Sequence, residues 1–252
     1  MVQTNCVKPK IIAIVGPTAS GKTSLGVEIA KAVNGEIISA DSMQIYKHMD
    51  IGTAKVTIKE KSGIPHHLID IVDPTERYSV ALWVQEAKEK IKDIISRGKT
   101  PIIVGGTGLY VTSLIKGYTF YDVDENTTLR GEYRQKLETM GADALYNELT
   151  RKAPDLAKTI DPHKTKAIIR ALELIESGAD LNNSTTGEDY NCLLIGLELD
   201  RVELYDRINT RVDKMMNDGL LEEFNNLVVN HGLKKEHQSA GAIGYKELFP
   251  LL

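Results

Sequence analysis

The chain has 252 residues, of which 42% are hydrophobic and 26% are charged, and these values are ordinary for a globular protein with an apolar core. No apolar stretch is long enough to cross a bilayer, and residues 1–10 lack the apolar centre of a secretory signal. The formal net charge of −4 argues against a chain that binds nucleic acid over its whole surface, but it leaves room for a local basic face.

The cysteines indicate the compartment. Cys6 lies in the expected N-terminal tail, and Cys192 lies at the start of an apolar run. Neither has the spacing of a metal ligand, so both are expected to be free thiols of a cytoplasmic protein. We expect no membrane attachment. We also expect a monomer, because no large apolar surface stripe is evident in the sequence.

The first predicted element is a strand that leads into a phosphate-binding motif. The apolar run 11–15 predicts a buried strand, and the segment 16–23 matches G-x-x-x-x-G-K-[ST] at every fixed position. A helix-forming stretch follows at about 22–33. Backbone N–H groups of such a loop surround an anion, and the N-terminus of the helix adds partial positive charge. The motif therefore predicts a polyphosphate ligand without identifying it.

The residues of this loop are the predicted phosphate contacts. They are Gly16, Pro17, Thr18, Ala19, Ser20, Gly21, Lys22 and Thr23. Lys22 is expected to reach the terminal phosphates, and the Thr23 hydroxyl is expected to bind Mg²⁺. The alternative, a chance match in a turn, is disfavoured by the strand before the motif and the helix after it.

A second short strand is predicted at 36–39, after Gly35, and Asp41 lies just past its end. A carboxylate at the end of a strand beside a phosphate loop has several possible roles. It could bind Mg²⁺ directly or through water, it could accept a proton from a nucleophile, or it could cap the following turn. The residues alone leave these roles open.

A third strand is predicted at 67–72, where two adjacent histidines, His66 and His67, stand at or before its start. Because no further metal ligands lie at suitable spacing, we interpret the pair as a turn and strand start and not as a metal site. An amphipathic helix is predicted next, with apolar residues at three- and four-residue intervals from Val80 to Ile95.

A buried strand at 101–104 ends in the glycine-rich turn 105–108, which lets the backbone approach a ligand closely, and a helical pattern starts at Leu109. The Thr107 hydroxyl could donate to a phosphate or a leaving group, or Thr107 could only cap the helix. ATP-hydrolysing P-loop proteins usually carry an acid at the end of such a strand. Its absence favours phosphate binding over hydrolysis, as in a kinase or an enzyme that uses another diphosphate.

The alternation of strands and helices predicts an α/β fold, a P-loop NTPase-like parallel sheet flanked by helices. Segment 118–190 has no strand pattern, so we expect an all-helical insertion there, ending in a polar, mobile loop at 177–189. The core would then comprise 1–117 and 191–252. The remaining predicted elements are helices at about 127–139, 143–151 and 163–176, a strand at 193–197 that returns to the sheet, and helices at about 201–217 and 219–230.

Basic side chains occur on several predicted helices. Arg211 follows the last strand, with Arg207 and Lys214 at helical spacing from it, and a solvated helix face is the favoured interpretation. The inserted helices also carry basic residues, diluted by acids. On the inserted helices a solvated face is the favoured interpretation, and a nucleic-acid-binding surface is the alternative.

A series of segments in fixed order closely resembles the tRNA dimethylallyltransferases and is far more specific than the phosphate loop alone. The segments are the phosphate loop with its strand, ISADSMQIY at 38–46, DIGTAK at 50–55, PHHL at 65–68, GGTGLY at 105–110, IIRALE at 168–173, RV at 211–212 with Met215 and GL at 219–220, and AIGYKEL at 242–248. The resemblance is dense over about 11–120.

This resemblance implies transfer of a prenyl group from dimethylallyl diphosphate, bound by the phosphate loop, to the exocyclic amine of the adenine on the 3′ side of the anticodon. It implies that Asp41 is the general base, that Thr107 and Arg211 stabilise the departing diphosphate, and that the metal is Mg²⁺. It further implies that the partner is the anticodon stem-loop of a tRNA, which the inserted helices contact in part. The implied tRNA contacts are Asp41, Ser42, Met43, Gln44, Lys166 and Arg170.

Two other functions share the same loop. A small-molecule or nucleotide kinase would transfer phosphate from ATP, and a non-catalytic RNA-binding module would use a nucleotide as a switch. The tRNA dimethylallyltransferases continue past the position of Leu252 with a basic helical tail. The resemblance therefore implies a further segment there.

Overall fold

The computed structural model describes residues 8–118, 120, 127–177 and 189–251. The chain divides into two compact units, one of residues 1–117 and 187–252 and the other of residues 118–186. Cys6 and nearly all of the predicted polar loop at 177–189 lie outside the described residues. In the described ranges, no helix is both long and apolar enough to span a membrane.

The described strands form one parallel sheet in the first unit, in the order β3-β2-β4-β1-β5. They are β1 (Lys10–Val15), β2 (Gly35–Ser39), β3 (His66–His67), β4 (Thr100–Gly105) and β5 (Asn191–Gly196). The predicted parallel sheet is confirmed, as is the return of the chain to the sheet through β5 after the helical segment.

The described α-helices are α1 (Lys22–Val33), α2 (Ile58–Lys61), α3 (Val80–Ser96), α4 (Gly108–Lys116), α5 (Thr127–Met140), α6 (Ala142–Lys152), α7 (Pro154–Ala157), α8 (Thr165–Glu176), α9 (Arg201–Asn217) and α10 (Leu220–Val229). Short 3₁₀ turns follow at Ser239–Gly241 and Phe249–Leu251. Helices α2 and α7 are single turns that the sequence patterns do not predict.

The core of the first unit forms between the sheet and the helices that flank it. Ile14, Ile37 and Ile102 of the strands pack with Val27 and Ala30 of α1. The three isoleucines are β-branched residues, which fit the pleated surface of a sheet well.

The fully buried Trp83 of α3 ties a second helix to the sheet. Its indole Nε1 donates to the carbonyl oxygen of Ser39 at 2.9 Å, and its ring stacks on Tyr110 of α4 with centroids 4.8 Å apart. This packing fixes the ends of β2 and β4, where the candidate site lies.

The predicted third strand is wrong beyond His67. Leu68 and Asp70 have φ of 59° and 57°, in the left-handed region that interrupts a strand. The chain instead follows the turn after β2, because Asp70 N–H donates to the Gln44 carbonyl at 3.2 Å and Ile71 N–H to the Ile45 carbonyl at 2.8 Å. The segment therefore supports the candidate site instead of extending the sheet.

The second unit is all-helical in its described residues, as predicted, and has its own core. Tyr133 of α5 packs in one cluster with Leu145 and Leu149 of α6 and with Ile168 and Leu172 of α8. The fully buried carboxylate of Glu173 accepts from Arg130 Nε at 2.8 Å in the same unit.

Glu36 of β2 is a buried carboxylate, 2% exposed, held by two cations and a histidine. It accepts from Arg97 Nη2 at 2.8 Å, from Lys99 Nζ at 2.6 Å and from His67 Nε2 at 2.8 Å. The hydrogen bonds from Arg97, joined by those from Lys99 and His67, hold the pKa of Glu36 well below its usual range, although burial acts in the opposite direction.

We expect Glu36→Gln to lower the free energy of unfolding by about 2 kcal/mol at neutral pH, because a neutral amide loses the charge-assisted hydrogen bonds from the partly exposed Arg97 and Lys99. The carboxylate contributes fully above the pKa of an unfolded glutamate, about 4.3. That contribution is lost gradually as pH falls from there towards the lower folded value, so the difference from the wild type should begin to shrink below about pH 4 and vanish only in stronger acid. Urea unfolding at several pH values measures this. Glu28→Gln, which breaks an exposed pair with Lys31, should cost at most about 1 kcal/mol. A pH-independent difference would contradict the account.

Candidate active site

The phosphate-binding segment lies between β1 and α1, at the carboxyl end of the sheet. Ala19 and Gly21 have φ of 63° and 88°, which turns the backbone around the start of the helix. The first N–H groups of α1 have no intrahelical partner and point out of the helix end. Lys22 is half-buried and its Nζ donates to the Pro17 carbonyl, while Thr23 is exposed. The loop thus has the donors and positive end that bind an anion.

The end of β4 leaves room beside this loop. A Cβ placed on Gly106 would lie 3.8 Å from the Gly16 carbonyl oxygen and 4.0 Å from Lys22 Nζ. A side chain at this position would therefore project into the space next to the lysine. With glycine at this position, the space beside Lys22 and the phosphate loop stays open.

Gly105, just before it, makes a close approach that no other residue could make. A Cβ on Gly105 would lie 2.1 Å from the Ala40 carbonyl oxygen, and Thr107 N–H donates to that same oxygen at 3.1 Å. The turn after β4 is thus pressed against the segment that follows β2. This contact brings Thr107 and Asp41 to one edge of the site.

Asp41 organises the turn after β2. Its Oδ1 accepts from Met43 N–H at 2.9 Å and from Gln44 N–H at 3.3 Å, so one carboxylate oxygen has the capping role. Among the described residues, Oδ2 makes no hydrogen bond. One oxygen therefore fixes the side chain, and the other stays available for a proton or a cation.

Thr107 occupies the N-cap position of α4, but its side chain makes no capping hydrogen bond. Its hydroxyl oxygen accepts from Ser42 N–H at 3.0 Å, and the hydroxyl donates a longer hydrogen bond to Ser42 Oγ at 3.4 Å. A hydroxyl that accepts from the backbone can turn its own hydrogen towards a ligand. The geometry argues against the simple capping role and links Thr107 to the turn that contains Asp41.

Arg211 of α9 is half-buried beside these groups, not on a solvated helix face. Burial lowers its pKa, while the carboxylates of Asp41 and Glu60 act to raise it. Burial likewise lowers the pKa of Lys22, opposed by Asp41 and reinforced by Arg211. Lys22 and Arg211 therefore both lie within electrostatic range of the Asp41 carboxylate. Within the described residues, the buried Nε of Arg211 has no hydrogen-bond partner.

Arg207, one turn earlier on α9, is a residue whose role the sequence did not suggest. Its Nη1 lies 3.5 Å from the carbonyl oxygen of Ala19 in the phosphate loop, and its Nη2 donates to Glu203 at 2.7 Å. The spacing of Arg207 from Arg211 was its only sequence signal. Its side chain adds a third cation at the rim of the loop.

A partly open cleft lies beside the phosphate loop, and its empty space of about 270 Å³ includes open solvent. Its lining is Thr23, Ile37, Ser39, Gln44, Val56, His66, Ile69 and Val104. The apolar members form a wall suited to a hydrocarbon group, and the polar members lie near the loop and the Asp41 turn. The ring of His66 is anchored through Nδ1, 2.9 Å from the Ile64 carbonyl oxygen.

The residues that the resemblance implies for tRNA contact are divided between the two units. Ser42, Met43 and Gln44 lie in the turn that Asp41 caps, in the first unit. Lys166 and Arg170 lie on α8 in the second unit, where Lys166 is exposed and Arg170 pairs with Glu173 at 2.9 Å. Their contact with tRNA stays a prediction.

Comparisons with known proteins agree on one family. The IPP transferase family model matches residues 44–252, and the isopentenyl transferase model matches residues 9–70. The tRNA dimethylallyltransferase of Bacillus pumilus (strain SAFR-032) is 49% identical, over 96% of this chain and 77% of the relative. That of Bacillus subtilis (strain 168) is 46% identical, over 97% of this chain and 79% of the relative.

Solved structures give the same result. The full-length tRNA isopentenylpyrophosphate transferase of Bacillus halodurans matches with a TM-score of 0.70 and 45% identity, over 97% of this chain and 77% of that chain. A eukaryotic dimethylallyltransferase acting on tRNA matches with a TM-score of 0.78 and 31% identity, over 96% of this chain and 63% of that chain.

Proposed function

Since the chain belongs to the IPP transferase family, we propose that its phosphate loop binds dimethylallyl diphosphate and that Asp41 and Thr107 carry out transfer to tRNA. Its relatives are named tRNA dimethylallyltransferases, and we propose the exocyclic amine of the adenine 3′ to the anticodon as the acceptor. The family assignment favours this function over the kinase. The observation that carries the residue roles is the convergence of Lys22, Asp41, Thr107 and Arg211 at one edge of the sheet.

The donor is oriented by its two chemically different ends. The diphosphate binds the amides at the start of α1, Lys22 and Arg211, where positive charge is concentrated. The dimethylallyl group packs against the apolar side of the adjacent cleft, which Val56 and Ile69 form in part. Its C1 then lies between the phosphate loop and Asp41.

Transfer breaks the bond between C1 and the bridging oxygen and forms a bond between C1 and the adenine nitrogen. The electron pair of the broken bond leaves on the diphosphate, where the Thr107 hydroxyl and Arg211 stabilise it. The amine is a weak nucleophile, and Oδ2 of Asp41 takes the proton that it loses. The products are the N-prenylated adenine, diphosphate and one proton.

Mg²⁺ fits the donors present at this edge. The exposed Thr23 hydroxyl is a hard oxygen ligand, and Mg²⁺ typically combines one or two such protein ligands with water and phosphate oxygens. When bound, the ion would neutralise charge on the diphosphate and favour its departure.

We assign tRNA binding to both units. The adenine must leave its stack to reach Asp41, which costs a few kcal/mol that protein–RNA contacts offset. Ser42, Met43 and Gln44 would meet the extruded base, and Lys166 and Arg170 of α8 would contact the anticodon arm. We further propose a monomer that acts in the cytoplasm.

A transfer assay tests this function. The protein is incubated with radiolabelled dimethylallyl diphosphate, Mg²⁺ and an anticodon stem-loop, in parallel with labelled ATP. We expect prenyl label on the adenine 3′ to the anticodon without any ATP, and none on a stem-loop with guanine there. Phosphate transfer from ATP, or RNA binding without a covalent product, would overturn the proposal.

A further inference from the structure

A turn downstream of Asp41 is held by a carboxylate from a distant part of the chain. The backbone N–H groups of Asp50 and Ile51 donate to Glu223 Oε2, both at 2.8 Å, and Gly52 N–H donates to Glu223 Oε1 at 3.1 Å. Glu223 lies on α10. Hydrogen bonds to an ionised group are about twice as strong as neutral ones, so this turn is firmly fixed.

Tyr245 closes the same turn from another side. Its hydroxyl donates to Glu223 Oε1 and accepts from Gly52 N–H at 3.1 Å, and its side chain is fully buried. A Cβ on Gly52 would lie 2.4 Å from the tyrosine ring, so the ring rests directly on the glycine. We call Glu223 and Tyr245 the clamp, and residues 50–54 the clamped turn.

The side chain of Gln44 connects the clamped turn to the candidate active site. Gln44 Nε2 donates to the carbonyl oxygens of Thr53 and Ala54, at 3.2 Å and 3.3 Å. The backbone N–H of the same Gln44 donates to Oδ1 of Asp41 at 3.3 Å. Gln44 thus joins the clamped turn to the carboxylate that we propose as the base.

We propose that Glu223 and Tyr245 are positioning residues for prenyl transfer, which hold Asp41 in its reactive orientation through the clamped turn and Gln44. This inference rests on the proposed role of Asp41. Neither clamp residue is among the groups that meet the phosphate loop, so donor binding does not depend on them. The clamp acts on the transfer step, because a misplacement of about 1 Å at a reacting group can cost about 10²-fold in rate.

Glu223→Gln tests the clamp with little change in shape. A carboxamide offers one acceptor oxygen, and its NH₂ would face backbone N–H donors, so at least one bond to the turn is lost. We expect the single-turnover rate constant for transfer to fall by about 10²-fold, while the dissociation constant of dimethylallyl diphosphate is unchanged. Tyr245→Phe, which keeps the ring, should show a smaller change of the same kind. Glu222→Gln, the exposed neighbour on α10, should behave as the wild type.

A double-mutant cycle separates positioning from general destabilisation. If the clamp acts through Gln44, then Glu223→Gln combined with Gln44→Ala should be no slower than the slower single variant. Additive losses in rate, or a loss of donor binding in Glu223→Gln, would overturn the proposal.

Hydrogen exchange gives a readout that does not need the reaction. In Glu223→Gln, amides of the peptide that spans 41–46 should exchange faster, while those of the phosphate loop keep the wild-type rate. Unchanged exchange at 41–46 would refute the clamp. An inactive wild type with the expected exchange pattern would instead refute the proposed function.

Discussion

Asp41→Asn is expected to lower the rate constant for prenyl transfer by about 10²–10⁴-fold, the usual contribution of a general base. The structure makes asparagine the informative substitution. Its side-chain oxygen can still accept from Met43 and Gln44 N–H, as Oδ1 of Asp41 does, so the turn is retained. What is lost is the proton-accepting carboxylate, and donor binding should stay nearly intact.

Single-turnover kinetics together with equilibrium binding of dimethylallyl diphosphate measure the two effects separately. Asp73→Asn is a matched control, since that carboxylate is exposed and pairs with Lys47 at 3.2 Å. If Asp41→Asn abolished donor binding, Asp41 would act chiefly through the metal. If the rate constant were unchanged, Asp41 would not be the base.

Thr107→Ala is expected to lower the transfer rate constant by about 10²–10³-fold, with a smaller effect on donor affinity. This is the usual cost of removing one donor aimed at charge that develops in the transition state. The hydroxyl oxygen accepts from Ser42 N–H at 3.0 Å, and its hydrogen, which makes only a long bond to Ser42 Oγ at 3.4 Å, can rotate towards the departing diphosphate. The alanine variant would lose both interactions.

Thr107→Ser separates the hydroxyl from the methyl group and should keep most of the rate. Thr100→Ala, at the opposite end of β4, removes a hydroxyl that donates to the Val33 carbonyl at 3.2 Å and should leave transfer unaffected. A serine variant as slow as the alanine variant would assign the effect to packing and remove Thr107 from the catalytic groups.

The parts of the site that the sequence predicts are those that depend on neighbouring residues. A strand, a glycine-rich loop and a helix place Lys22 and Thr23 at a helix N-terminus, since the motif and its geometry are local. Asp41 and Thr107 are predicted to lie at one edge because the carboxyl ends of parallel strands meet there. The tight contact of Gly105 with Ala40 brings together the turn after β4 and the turn after β2. A local sequence pattern does not predict this contact.

The features that the sequence does not predict depend on contacts between distant segments or on unusual backbone angles. The third strand stops at His67 because Leu68 and Asp70 adopt positive φ, for which their side chains give no signal. Arg211 was suggested only by family resemblance, because charge spacing on a helix is the same for a solvated face and for a site. The link between Glu223 and residues 50–52 joins two segments with no common periodicity.

The most direct test of the account is a crystal structure of the protein with a thio analogue of dimethylallyl diphosphate that cannot ionise at C1. We expect both phosphates on the amides of the phosphate loop and Lys22, with Thr107 Oγ1 next to the bridging atom and C1 directed towards Oδ2 of Asp41. A diphosphate bound elsewhere, or an Asp41 carboxylate directed away from C1, would contradict the proposed mechanism.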